Sequence, residues 1–311
     1  MNTQIEQIKA SVGSIIVGQH NMVELILAAL LADGHVLLEG VPGVAKTLAA
    51  RLMARMVDCS FSRIQFTPDL MPADIIGTSI FDPKTLDFRY RRGPVFSNIV
   101  LTDEINRAPA KTQAALFEVM EERNVTVDGT AYPVPLPFMV MATMNPIEQE
   151  GTYRLPEAQL DRFMFKIVVD YPTLAEEEEI LRRHHGGKGA SAIDEVASVI
   201  SATDLIAYRS HVRSVTVEDS LVHYIASIVH ATRDHRSLSL GASPRASIGI
   251  LNASKAIAAM AGRDFVTPDD VQFTAPPVLR HRIQLTPETE MEGITEDRVV
   301  ADIIRSIDVP R

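Results

Sequence analysis

Residues 35–47 read His-Val-Leu-Leu-Glu-Gly-Val-Pro-Gly-Val-Ala-Lys-Thr. The run 35–38 reads as a buried strand, and two glycines then bracket a turn. Beyond the turn Leu48, Leu52, Met53 and Met56 recur at helical spacing, so a helix is expected over residues 47–57. Strand, glycine turn and helix in this order make a phosphate cradle. Backbone N–H groups converge in the turn, and the helix N-terminus adds partial positive charge. The loop is Gly40, Val41, Pro42, Gly43, Val44 and Ala45; Lys46 reaches the β and γ phosphates of a nucleotide, and the Thr47 hydroxyl ligates Mg²⁺. Ala45 stands where the pattern G-x-x-x-x-G-K-[ST] has its second glycine. A methyl group is tolerated there if the local φ is negative, and without the glycine the match to the pattern is weaker.

Outward from this stretch, residues 64–66, 98–101, 138–143 and 166–169 read as further buried strands. Amphipathic segments such as Leu116, Val119 and Met120 lie between them. Strand and helix in alternation imply a parallel sheet covered on both faces, with ligands at the carboxyl ends of the strands. At one such end stand Asp103 and Glu104. Adjacent carboxylates repel unless a cation is near, and Asp103 on Mg²⁺ with Glu104 polarising a water provides that arrangement. Another strand ends in Asn145-Pro146, where the amide can orient the attacking water. Two arginines complete the set. Arg162 follows a short helix begun by Pro156 and can neutralise charge on a transferred phosphoryl group. Arg245 follows an N-cap Ser243 and an N1 Pro244, where positive charge opposes the helix dipole unless an anion is nearby.

The chain has 311 residues, 46 % hydrophobic and 23 % charged, and its mean hydropathy is +0.07. That suits a globular protein of about two domains. Thirty basic against 40 acidic side chains give −10, which disfavours nucleic acid as the main ligand. A single cysteine, Cys59, fits a reducing compartment. The opening residues MNTQIEQIKA lack a secretory apolar core, and the longest apolar run, residues 25–32, is far short of a span of about 20 residues. A cytoplasmic protein without membrane insertion is expected. His184, His185, His223 and His230 lack ligand-spaced partners, so no metal is expected on them. Beyond the glycines at 186, 187 and 189, which read as a hinge, only helical patterns occur. They include Thr267-Pro268 as a helix start and the stripe Val299, Val300, Ile303, Ile304, Ile307.

The ordered set GVPGVAKT, TDEINRA, MATMNP, RLPEAQLDRF and GASPRA, with the tail VLRHR at 278–282, resembles the MoxR family of AAA+ ATPases over nearly the whole chain. The resemblance implies an αβα P-loop domain with a parallel sheet over residues 1–185 and a helical lid over 190–311. It implies two hairpin insertions, about 78–92 and 125–135, the second turning at Asp128-Gly129. It makes Lys46 and Thr47 the Walker A pair, Asp103 and Glu104 the Walker B pair, Asn145 sensor 1, Arg162 the arginine finger and Arg245 sensor 2. Val17 and Gly18 correspond to the segment that touches adenine, and Ala45 is a usual variant of the loop. The implied activity is Mg²⁺-dependent ATP hydrolysis in a homo-oligomeric, hexameric ring that remodels a client protein carrying a von Willebrand A domain. Three alternatives stand beside it: a nucleic-acid motor, a chelatase-type motor subunit, and a nucleotide-gated module that does not hydrolyse, against which the intact Glu104 argues.

Overall fold

The computed structural model describes residues 1–145, 153, 155–185 and 196–310. Pro146, Arg154 and the glycines of the expected hinge lie outside the described residues. Two helices open the chain, α1 (Asn2–Ile15) and α2 (His20–Leu31), followed by β1 (Val36–Gly40), α3 (Lys46–Met56) and β2 (Phe61–Gln65). The short helix α4 (Pro72–Ile76) leads into the hairpin β3 (Gly77–Asp82) and β4 (Asp87–Arg92). Then come β5 (Ile99–Asp103), α5 (Ala110–Glu122), the hairpin β6 (Asn124–Val127) and β7 (Thr130–Pro133), β8 (Met139–Met144), α6 (Glu157–Leu160), β9 (Phe165–Val169) and α7 (Leu174–His185). Each expected strand is present. Three extend one or two residues further at the carboxyl end than composition indicated, because neighbouring strands supply ladder partners to polar residues such as Glu39 and Asp103.

The five strands β2-β5-β8-β1-β9 form one parallel sheet. The chain leaves β1 for the far edge, returns strand by strand to β8, and then places β9 on the other side of β1. The reversal of direction at β1 and β8 is the switch point where such sheets open a crevice. Alternation along β1 sorts its residues: Val36 and Leu38 join one apolar cluster, and Leu37 the other. The second cluster packs β5, β8 and α5, with Phe117, Phe138 and Phe163 at its centre.

Helices α8 (Ala202–Ser214), α9 (Asp219–Ala231), α10 (Pro244–Met260), α11 (Pro268–Leu279), α12 (Pro287–Met291) and α13 (Glu296–Ser306) build the second half. Thr267 caps α11 with Asp270 in a capping box, and the stripe on α13 buries Val299, Val300 and Ile303. One expectation is corrected: the second half is not purely helical. Strands β10 (Leu238–Leu240) and β11 (Gln284–Leu285) pair antiparallel. Strands of three and two residues are too short to show a period of two, so no pattern announces them.

Helix α2 is buried from Met22 to Leu31 on nearly every side. It is apolar all round because it lies between the sheet and the lid helices α8 and α10. The apolar cluster of that sheet face therefore continues without a break into the lid, through residues such as Leu205, Ile250 and Ala253. Both hairpins form where expected, with Asp128 and Gly129 at positive φ in the second turn. The tip of the first spans residues 83–86, because Asp82 pairs with Asp87 across the ladder.

Candidate functional site: a nucleotide cavity and an arginine hollow

A cavity of about 370 Å³ opens at the carboxyl ends of the central strands. Pro42, Gly43, Ala45, Lys46 and Thr47 line one wall, and Asp103, Glu104 and Asn145 the other. The residues singled out after three separate strands thus meet in one place. The rest of the loop supports it. Val41 and Val44 pack into the apolar cluster, and Gly40 runs so close to β9 that a Cβ would sit 2.5 Å from the Val169 carbonyl oxygen. The Lys46 ammonium folds back to donate to the Gly40 carbonyl. Gly43 has φ +89°, with nothing within 4 Å of the position a Cβ would take.

Ala45 does not meet the condition of a negative φ. Its φ is +61°, left-handed, at the N-cap of α3. The loop must reverse there to deliver Lys46 to the first helical turn, and an L-residue bears a cost of about 1–2 kcal/mol for that conformation. Glu104 is also left-handed, with φ +55°, where the chain turns out of β5. Two non-glycine residues in the αL region therefore line the same cavity, the pattern of backbone strain held at a working site.

The carboxylates are tied into a network. The Thr143 hydroxyl donates to Asp103 Oδ1 at 3.1 Å and accepts from the Glu104 N–H at 3.0 Å. It thereby locks the end of β5 to the end of β8. The cation that two adjacent acids require is supplied here by arginines. Arg63 Nε lies 2.6 Å from Asp103 Oδ2, and an Arg107 guanidinium nitrogen lies 3.0 Å from Glu104 Oε2. Gln65 donates to the same Glu104 oxygen at 2.8 Å. Asp103 and the Thr47 hydroxyl are hard oxygen donors on one cavity, a set that fits Mg²⁺ with part of its water shell retained. Asp103 is little exposed, whereas Arg63 is half exposed and can swing aside.

Arg162 and Arg245 lie elsewhere. They line a hollow of about 280 Å³ that shares no residue with the nucleotide cavity. Both bind one carboxylate: Arg162 reaches Glu121 Oε2 at 2.7 Å, and Arg245 reaches Oε1 at 3.0 Å. Arg162 also donates to the Phe117 carbonyl at 2.8 Å. The anion expected near Arg245 is thus Glu121. Ser243 is the N-cap of α10 by position, yet its hydroxyl does not bond the helix; it donates to Asp161 Oδ2 at 3.1 Å. Under this hollow lies His35, fully buried. Its Nδ1 accepts from the Val140 N–H at 2.9 Å, and burial, reinforced by Arg123, lowers its pKa to about 3.

Val17 and Gly18 line a third hollow with His20, Glu176 and Arg183, again apart from the phosphate loop. Gly18 has φ +68°, a conformation that favours glycine, and a Cβ there would push the Glu176 carboxylate aside. Sequence reasoning missed Arg63, Gln65, Thr143 and Glu121. A signal existed for the first two, since they are polar residues two apart in an otherwise strand-like segment.

The fold and this site together define an AAA+ protein, with a P-loop sheet domain and a helical lid. Residues 35–165 match the ATPase family associated with various cellular activities, and residues 230–303 match the AAA lid domain. The uncharacterised protein YeaC of Bacillus subtilis is 48 % identical, over 96 % of this chain and 92 % of YeaC. Chaperone MoxR1 of Mycobacterium tuberculosis is 47 % identical, over 99 % of this chain and 82 % of its own length. A crystal structure of a Cytophaga hutchinsonii protein assigned as an ATPase superposes with a TM-score of 0.91 at 42 % identity, covering 100 % of this chain and 96 % of that one. The chain belongs to the MoxR family of AAA+ ATPases.

Proposed function

We propose that this protein hydrolyses ATP with Mg²⁺ in a ring of identical subunits, six by family resemblance, and spends the free energy on remodelling a client protein. The observation that carries the reading is the division of parts. The phosphate loop, two carboxylates and Asn145 share one cavity, while Arg162 and Arg245 sit in another. Lys46 turns from the Gly40 carbonyl to the β and γ phosphates. Thr47 and Asp103 would hold the metal, and Arg63 would swing away from Asp103 to free it. Mg²⁺ when bound neutralises charge on the transferred phosphoryl group. Glu104, fixed by Gln65 and Arg107, takes up the proton of the attacking water, and Asn145 orients that water. Val17 and Gly18 contact the adenine. Arg162 and Arg245 leave Glu121 for the nucleotide of the adjoining subunit. The domain limits 1–185 and 190–311 follow from the same reading.

The client is a protein carrying a von Willebrand A domain, as the family resemblance implies; the chaperone name of the 47 % identical relative supports protein remodelling in general. The cytoplasm is the proposed location, and no described helix is long and apolar enough to cross a membrane. Nucleic acid is disfavoured by the charge of −10, and two of the three hairpin arginines are engaged within the chain: Arg89 with Asp82 at 3.4 Å, and Arg92 over the Phe96 ring at 5.0 Å. Glu104→Gln tests the reading. It keeps the shape of the side chain and loses the base, so ATP·Mg²⁺ binding is retained while turnover falls by about 10²–10⁴-fold. Parental turnover would remove Glu104 from the chemistry, and strong stimulation of the parent by DNA, falling steeply with salt, would promote the nucleic-acid motor.

A further inference from the structure

The segment 161–166 links α6 to β9 and carries Arg162. Three consecutive lid residues seize it. Arg280 donates to the Lys166 carbonyl at 3.2 Å, and His281 Nε2 lies 3.0 Å from the Phe163 carbonyl. Arg282 does most. Its Nε binds Asp161 Oδ1 at 2.6 Å. One terminal nitrogen donates to the carbonyls of Asp161 at 3.0 Å and Phe163 at 2.6 Å. The other donates to Met164 at 3.2 Å and Val278 at 2.6 Å. All five N–H donors of the guanidinium are thereby placed, and the side chain is only 3 % exposed. The remaining Asp161 oxygen accepts from Ser243, two residues before Arg245.

The residues on both sides of Arg162 are therefore clamped by the lid, and its own guanidinium shares Glu121 with a lid arginine. Nothing in ATP chemistry requires a buried arginine at residue 282, which does not line the nucleotide cavity. Packing of the lid alone does not call for it either, since four of its five bonds go to the segment 161–164 and one to Val278 in the preceding helix α11. Its burial lowers the guanidinium pKa, and the Asp161 carboxylate opposes that shift, so the charge is retained for the pair.

We propose that Arg282 is a positioning residue for Arg162: through Asp161 and the carbonyls on either side it makes the finger move with the lid, so that lid orientation in one subunit sets hydrolysis in the next. The inference rests on the reading that Arg162 serves a neighbouring subunit. A lid tilt carries Asp161 and Phe163 with it, and displacement of about 1 Å at a catalytic group costs on the order of 10²-fold in rate. Lysine cannot replace the fork, because it offers three donors from a single point.

The test measures fluorescent-ATP affinity, KM, kcat and complementation in mixtures. Arg282→Lys is expected to bind ATP like the parent, with KM unchanged and kcat lowered about 10²-fold. Mixed with Lys46→Ala it should regain activity, because its own phosphate loop is intact and a correct finger comes from the other chain. Mixed with Arg162→Ala it should regain none, since both chains lack a working finger. Ser243→Ala removes one bond from the same clamp and should lower kcat about fivefold with the same mixing pattern, even where Arg282→Lys does not fold. An unchanged kcat in both variants overturns the proposal, as does a variant that recovers with Arg162→Ala. If Arg162→Ala itself fails to recover with Lys46→Ala although the chains co-assemble, the trans reading falls and this inference with it. If that control recovers and both lid variants fail to, the positioning role alone is wrong.

Discussion

The nucleotide cavity and the arginine hollow are built from opposite materials. In the first, two carboxylates are ringed by donors: Thr143, Gln65, Arg63 and Arg107. In the second, two guanidinium groups are neutralised by a single carboxylate, Glu121. The first sits on strand ends, and the second bridges α5, the segment after α6 and the start of the lid helix α10. Each is compensated within the chain, yet each compensation is of a kind that a polyphosphate with its metal would replace: Arg63 on Asp103 by the metal, Glu121 on the arginines by phosphate oxygens. Under the proposed function, the contrast makes these two regions complementary halves of a site shared between adjoining chains rather than one complete site.

The sharpest way to break this comparison is to disable one half at a time. Arg162→Ala should bind ATP normally and lose about 10³-fold or more in turnover, the scale an arginine supplied in trans provides in GTPases. Mixing it with Lys46→Ala should restore part of the rate, measured as phosphate release while co-assembly is followed by sedimentation. An inert mixture of co-assembled chains would mean the two halves never meet.

A second measurement separates the halves by pH. His35 lies under the arginine hollow, and its folded pKa of about 3 is below the unfolded value of 6.5. Between these values the unfolded chain binds more protons, so stability is complete above pH 6.5 and falls as the pH is lowered through the window. The loss at pH 5 approaches about 2 kcal/mol for this one group. Denaturant unfolding of His35→Gln should show a flatter pH dependence than the parent over pH 5–7. Equal slopes would show that other groups control acid stability.

The smallest effect belongs to Arg63. Its pairing with Asp103 is half exposed, so Arg63→Gln should sharpen Mg²⁺ binding by only about two- to fivefold, as an exposed ion pair allows. A Mg²⁺ titration read by a fluorescent nucleotide measures it. A weakened Mg²⁺ affinity would show instead that Arg63 assists the metal site.

The parts of the nucleotide cavity that could be read beforehand share one property. Asp103 ends β5, Glu104 and Asn145 follow directly on β5 and β8, and Lys46 opens α3 just beyond the glycine turn after β1, so pattern and position in the chain announce them together. The αL geometry of Ala45 could not be read so, because the residue type alone favours negative φ and only the reversal at the start of α3 imposes the other hand. Arg63 also escaped notice. Its partner is 40 residues away, and β2 neighbours β5 only after the hairpin β3-β4 has been looped out between them. The distance is greater still for Arg245 and Glu121, 124 residues apart.

Local chemistry along the chain was enough to establish a P-loop, its acidic strand end and the parallel sheet, while the family and the two hairpins came from the resemblance that the ordered motifs carry together. The first three depend on residues within one strand, turn or helix, where spacing and side-chain type dictate conformation. The tertiary structure alone decided that Glu121 holds both arginines, that Thr143 bridges Asp103 and Glu104, and that Arg282 clamps the residues flanking Arg162. These are charge and hydrogen-bond pairings between distant segments. A buried guanidinium or carboxylate must find a partner, but which partner it finds depends on how the sheet and the lid share a single apolar core across α2.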